Sequence, residues 1–321
     1  MSWLVTGGAG YIGAHVVDAF RAADLPCVVL DDLSTGVEAF VPDDVPFVRA
    51  DLLDGAAVGA ALREHGVTGV VHLAGFKYAG VSVQRPLHTY TQNVTATVTL
   101  LREMEAAGVE RLVFSSSAAV YGTPPTDVVT EQTPTGPESP YGESKLVGEW
   151  LLRDAARAGG LRGTSLRYFN VVGSGRPELY DASPHNLFPL VLAALAEGRT
   201  PRINGTDYPT PDGTCVRDYV HVADLARSHV AAARRLAAGD PVDPVYNLGS
   251  GDGVSVREIM GAVARVTGVD FTPEEADRRP GDPARIVARG DLAARDLDWA
   301  MRHSLDDMVA GAWAAQQRLA R

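Results

Sequence analysis

The chain has 321 residues, 45% of them hydrophobic and 21% charged, with a net charge of −11 and a pI near 5.2. This is the composition of a globular protein of about two domains, not of a disordered segment. An acidic balance with no basic stripe argues against a nucleic-acid partner, and no apolar run approaches the roughly 20 residues of a membrane span.

The chain opens with "MSWLVTGGAG", which has neither the basic nor the long apolar region of a signal peptide. Its two cysteines, Cys27 and Cys215, stand far apart and outside any CxxC pair, so a reducing compartment and a cytoplasmic location are expected. The first apolar run, "WLVTG" at 3–7, reads as a buried strand. Gly7, Gly10 and Gly13 follow it and open a helix expected over Tyr11–Ala23. Glycines in that position let the backbone approach a pyrophosphate at a helix N-terminus. A second run, "CVVLDD" at 27–32, carries Asp31, 18 residues beyond Gly13, where a carboxylate can accept hydrogen bonds from a ribose diol. A 2′-phosphate about 4 Å from that carboxylate would meet a repulsion of about 4 kcal/mol at an effective dielectric of about 20. No arginine follows in "DLSTG" to absorb the charge, so NAD is favoured over NADP.

Further along, "PFVRAD" (46–51), "GVVHLAG" (69–75), "RLVFSSS" (111–117) and "GTSLRYFN" (163–170) read as strands. They alternate with helical spacing over Gly55–Glu64, Thr89–Ala107 and Tyr141–Ala158. Such alternation predicts an α/β fold, a Rossmann-type doubly wound parallel sheet. After Asn170 the rhythm breaks into "VVGSGRPELYDASPHN", a long loop of the kind that carries function. Helices and short strands then mix, and "PVYNLGS" (244–250) is placed as a last strand of the sheet. The expected division is a cofactor domain over 1–169, with a strand and helix added from about 220–248, and a smaller mixed α/β substrate-binding domain over 170–321.

The stretch "SPYGESK" (139–145) sets Tyr141 and Lys145 one turn apart on a helix face, downstream of a strand ending in Ser115, Ser116 and Ser117. A free tyrosine titrates near 10. An ammonium beneath the phenol oxygen and a cationic nicotinamide both favour the phenolate, which makes Tyr141 a candidate base and Ser117 a candidate holder of the substrate oxygen. No metal is expected: the eight histidines are scattered, and His72 within "VVHLAG" reads as a strand residue. No Gly-x-Ser-x-Gly elbow is present.

Taken with "VVHLAGFK", "VFSSSAAVYG", "LRYFNVVG", "DYPTPDGTCVRDYVHVADLA", "VYNLGSG" and "RRPGD", these motifs cover nearly the whole chain and resemble the UDP-galactose (UDP-glucose) 4-epimerases of the extended short-chain dehydrogenase/reductases. The resemblance implies a tightly held NAD, proton abstraction from the sugar 4-hydroxyl by Tyr141, a transient 4-keto sugar, and Ser117 on the 4-oxygen. It implies cofactor contacts from Gly7, Gly10, Tyr11, Ile12, Gly13, Asp31, Asp51, Leu52, Leu73, Ala74, Gly75, Lys77, Asn93, Ser115, Tyr141, Lys145 and Tyr168. For the nucleotide sugar it implies Asn170, Asn186, Leu187, Arg217, Tyr219, Arg279 and Asp282, the arginines suiting a diphosphate. In this family the residue four beyond the uridine-ribose aspartate walls the hexose pocket, here Ile286, whose branched side chain should exclude a 2-acetamido group. The chain departs from its relatives at Val81, where a glutamate is usual, and at His185, where a second asparagine is frequent.

A 4,6-dehydratase would need an acid pair beside Ser117, where Ala118 and Ala119 stand instead. A 4-epimerase of another nucleotide sugar (uronic acid, pentose or N-acetylhexosamine) and a nucleotide-sugar decarboxylase stay open as alternatives. A non-catalytic dinucleotide sensor would have no need of Tyr141, Lys145 and Ser117 together. A homodimer is expected, through the outer faces of the helices at Thr89–Ala107 and Tyr141–Ala158.

Overall fold

A computed structural model describes residues 1–183, 186–278 and 283–319. Seven short apolar runs form one parallel sheet: β1 (Ser2–Thr6), β2 (Cys27–Asp31), β3 (Phe47–Arg49), β4 (Val67–His72), β5 (Arg111–Ser115), β6 (Arg162–Tyr168) and β7 (Val245–Leu248). Their spatial order is β7-β6-β5-β4-β1-β2-β3. The central runs lack alternation because helices cover both faces of the sheet. On one face, α1 (Tyr11–Ala22) and α6 (Val222–Ala238) bury Val16, Val17, Phe20, Leu225 and Leu236 against Trp3, Val5 and Val29. On the other, α2 (Gly55–Glu64) and α3 (Ala96–Ala107) bury Val58, Leu62, Leu100 and Met104 against Leu4, Val28 and Leu112.

The chain leaves β1 toward β2 and β3 on one side, and resumes at β4 on the other. That reversal opens a crevice beyond the carboxyl ends of β1 and β4, where open α/β sheets bind ligands. The segment expected as one helix from Thr89 begins earlier, at Pro86 in an N1 position, and passes through a π-helical turn over Thr91–Thr95 before α3. The strand expected to reach Ser117 ends at Ser115; Ser117 is extended and caps a short 3₁₀ turn at Ala118–Tyr121. The next long helix, α4 (Pro140–Ala158), is capped by Ser139, which accepts from the Gly142 N–H at 3.2 Å.

The second half builds a smaller mixed layer. Its four-stranded sheet runs Val254–Ser255, Val216–Arg217, Arg285–Ala288 and Val128–Val129, the last contributed from before α4. A separate core forms where α5 (Leu187–Ala196) meets Val256–Thr267 and Leu305–Leu319, with Phe188, Ile259, Val263 and Met308 inside. Among the described residues no helix is long and apolar enough to cross a membrane.

Candidate active site

A cavity of about 890 Å³ extends from the glycine turn after β1 to the small sheet, lined by both halves of the chain. At its first end the glycines are dictated by space. A Cβ on Gly7, whose φ is +72°, would lie 2.7 Å from the Ala74 nitrogen, and one on Gly13 would lie 2.0 Å from the Gly7 carbonyl oxygen. Gly10 is the N-cap of α1, and Tyr11 and Ile12 line the cavity in its first turn. Asp31 ends β2 buried, accepting the Ala9 N–H at 3.0 Å and the Leu33 N–H at 2.9 Å. Burial pushes its carboxyl upward and these two hydrogen bonds pull it back. Asp51, Leu52, Leu73, Ala74, Gly75 and Lys77 line the same end, and residues 31–37 carry no lysine or arginine. A helix N-terminus beside a carboxylate, with no basic residue in the turn that follows it, fits a dinucleotide whose ribose carries a free diol.

Asn93 stands behind this wall. Its Oδ1 accepts the Phe76 N–H at 2.6 Å, and its Nδ2 donates to the Phe76 carbonyl at 3.0 Å and to Ser144 Oγ at 2.8 Å. It therefore ties the loop after β4 to α4 from within the π turn, a helical form that recurs at functional sites. Lys77 pairs with Asp181 at 3.8 Å, and Asp181 also accepts from Asn186 Nδ2 at 2.8 Å.

In the middle of the cavity Tyr141 lines the wall, while Ser117 is not among the described residues that line it. Ser117 Oγ already accepts the Ala119 N–H at 3.2 Å, which leaves its own proton for the Tyr141 oxygen or a bound oxygen. Burial raises the phenol's pKa and the Ser117 hydroxyl lowers it. Lys145 lies one turn further along the same helix. Its ammonium donates to the Ser115 carbonyl at 2.9 Å and lies 6.0 Å from the centre of the Tyr141 ring. A buried ammonium needs an acceptor, and burial brings its pKa down to about 8. The Ser115 hydroxyl meets His229 Nε2 at 2.9 Å, while His229 Nδ1 meets the Leu225 carbonyl at 2.9 Å. The carbonyl requires the proton on Nδ1, so Ser115 is the donor to Nε2. Tyr168 lines the cavity beside them, its phenol raised by burial.

At the far end Asn170, Asn186, Leu187, Arg217 and Tyr219 line the cavity together. Asn170 Nδ2 donates to the Asp218 carbonyl at 3.1 Å, and the Asp218 carboxylate collects the Ser250 and Ala288 N–H groups at 2.6 and 3.1 Å. Ile286 is placed differently from expectation. It pairs with Arg217 between strands, but its side chain is buried with Val120, Leu146 and Phe169 and is not among the described residues that line the cavity. Arg279 and Asp282, like His185, lie outside the described residues. Sequence reasoning missed Tyr180, Asp181, Arg202, Asn204 and Val256, all of which line the cavity. The first two sit in the long loop whose length was their only signal; the others belong to short elements that carry none. His72 is held between Thr6 Oγ1 at 2.8 Å and Thr97 Oγ1 at 3.0 Å, and burial pulls its pKa down to about 3. Among the described residues no three metal-ligating side chains cluster.

A family model described as the NAD dependent epimerase/dehydratase family matches residues 3–249. The chain is 44% identical to the UDP-glucose 4-epimerase of Azospirillum brasilense, covering 98% of this chain and 92% of that one. It is 43% identical to the UDP-glucose 4-epimerase of Bacillus subtilis, covering 98% and 97%. The solved structure of the UDP-glucose 4-epimerase of Stenotrophomonas maltophila, with bound NAD and formylated UDP-arabinopyranose, superposes with a TM-score of 0.95 at 38% identity, covering 100% of this chain and 99% of that one. With the glycine turn, the carboxylate at the end of β2 and Tyr141 and Lys145 in one cavity, the chain belongs to the NAD-dependent epimerase/dehydratase family, among its UDP-glucose 4-epimerases.

Proposed function

We propose that the chain interconverts UDP-glucose and UDP-galactose by inverting C4 of the hexose. The observation that carries this reading is the Tyr141 phenol on the wall of one cavity that has the glycine turn and Asp31 at one end and Asn170, Arg217 and Tyr219 at the other. When bound, NAD supplies a hydride acceptor that returns the same hydride. Ser117 holds the sugar 4-oxygen with its remaining proton. Tyr141, as the phenolate, takes the proton of the 4-hydroxyl and gives it back once the 4-keto sugar has turned about its bond to the diphosphate. Arg217 holds the diphosphate as the pivot. Lys77 and Lys145 would hold the dinucleotide, and Asp31 would take the adenosine ribose. Ala118 and Ala119 beyond Ser117 leave no carboxylate to expel water, which separates this chemistry from dehydration.

On this reading residues 1–169, with α6 and β7, form the cofactor domain, and the rest of the chain holds the nucleotide sugar. The working unit is a homodimer. The exposed Val83, Leu87 and Trp150, on Ala79–Gln84, Pro86–Tyr90 and α4, offer an apolar face for a second copy, whereas Ala96 is buried and Gly148 faces the sheet. Two buried free thiols suit a reducing cytoplasm. The test is incubation of the purified protein with UDP-galactose and no added dinucleotide, followed by NMR of the sugar protons. UDP-glucose should accumulate to equilibrium. Dependence on added NADP, or loss of water from the sugar, would contradict the reading.

A further inference from the structure

The long loop that follows Val172 brings to the cavity a hydroxyl with nothing to bond. Ser183 lines the cavity and is only 4% exposed. Among the described residues its Oγ finds no hydrogen-bond partner. A hydroxyl shut away from water without a partner costs stability. One that persists on the wall of a binding cavity points to a partner that arrives with the ligand.

The backbone fixes this serine in place. Its N–H donates to Asp181 Oδ1 at 3.0 Å, and Asp181 is anchored in turn by Asn186 Nδ2 at 2.8 Å and by Lys77 at 3.8 Å. Tyr78 lines the same cavity from the loop after β4. Burial and the Asp181 charge push its phenol upward and the Ser183 hydroxyl pulls it back, yet no hydrogen bond closes between the two. Tyr78 leads into the helix Ala79–Gln84, whose Ser82 Oγ accepts the Tyr141 N–H at 3.1 Å. Ser183 therefore faces the part of the cavity beside Tyr141, where the hexose has its place.

Asp181 sets what can meet that hydroxyl. A phosphate oxygen bound to Ser183 would stand close to the carboxylate and be repelled, and the half-exposed Lys77 offsets that charge only in part. A sugar hydroxyl is neutral, and it can both accept the serine proton and donate its own. The diphosphate has Arg217 on the cavity wall instead.

We propose that Ser183 is a substrate-binding residue whose hydroxyl bonds a hydroxyl of the hexose, between Tyr78 and Asp181. The proposal rests on the reading of the cavity as the seat of a UDP-hexose. Ser183 moves neither the proton nor the hydride, so its loss is felt in affinity for the sugar and not in the chemical step.

The test compares the parent with Ser183→Ala, each as purified with its dinucleotide. Calorimetric titrations with UDP and with UDP-glucose are run beside a thermal melt and the KM and kcat for UDP-galactose. The variant loses an unpaired buried hydroxyl, so without ligand it should melt no lower than the parent and carry the same dinucleotide. Affinity for UDP should stay within about twofold, while affinity for UDP-glucose falls about tenfold. KM should rise with that loss and kcat should hold within about twofold. Equal losses for UDP and UDP-glucose would move the bond to the diphosphate, and unchanged affinity for both would leave the hydroxyl without a ligand; either result overturns the proposal. So does a lowered melt of the unliganded variant, which would give the hydroxyl a structural partner. The two affinities decide this with or without turnover, so a parent that binds UDP-glucose yet fails to invert UDP-galactose is a failure of the functional reading alone.

Discussion

A Tyr141→Phe variant keeps the ring in the cavity wall and loses only the phenol oxygen. It should fold and retain NAD as the parent does, with kcat lower by roughly 10²–10⁴, the range of a single acid–base group. Turnover within a few-fold of the parent would remove Tyr141 from the mechanism. Lys145 makes a prediction about stability instead. Burial brings its pKa from the usual 10.5 down to about 8, so it is charged at neutrality and loses its proton in the fold before it would in the unfolded chain. Between about 8 and 10.5 the unfolded state thus binds more protons, and this group adds stability as pH rises through that window, with none gained below it. The sign is opposite to that of a lysine raised by a carboxylate partner. Melting of the dinucleotide-free protein across that range should climb less steeply in Lys145→Met than in the parent; identical slopes would show that the lysine is not desolvated as placed.

At the scale of elements, the π turn at Thr91–Thr95 holds the loop after β4 to α4 through Asn93. Asn93→Ala removes the partners of the Phe76 N–H and carbonyl, while the Ser144 hydroxyl keeps its bond to the Tyr141 carbonyl. It should destabilise by about 1–3 kcal/mol and release NAD faster, read by calorimetry and by absorbance after dialysis. A variant with parental melting and NAD content would show that the loop is held by something else. This turn could not be read in the sequence, because one extra residue within a helix leaves the apolar spacing almost unchanged. The strands could be read: β1, β2 and β4 are buried on both faces, so each has a run of adjacent apolar residues without alternation, and the glycines after β1 mark the backbone approach outright. Lys145 shows the limit of such reading. Spacing put it on the face of Tyr141, but whether its ammonium turns to the phenol or to the Ser115 carbonyl depends on a strand end from elsewhere in the chain.

For the molecule as a whole, the site spans two layers, and the second was the harder to see. Arg202 and Asn204 reach the cavity from a three-residue strand, and Val256 from the start of a helix, with no motif around them. Ile286 was picked out from a motif, yet the small sheet turns it into the cluster with Leu146 and Phe169 beside the site. Ile286→Ser should open that cluster toward the sugar, raise the kcat/KM ratio of UDP-N-acetylglucosamine to UDP-glucose, and cost about 1–3 kcal/mol of stability. An unchanged ratio would place the acetamido limit elsewhere. The central claim, that one hydride leaves C4 and returns to the same carbon within a closed site, is tested most directly with UDP-galactose deuterated at C4. The account predicts UDP-glucose with the deuterium still at C4 and none in solvent or free dinucleotide. Washout of the label into water during inversion would contradict it.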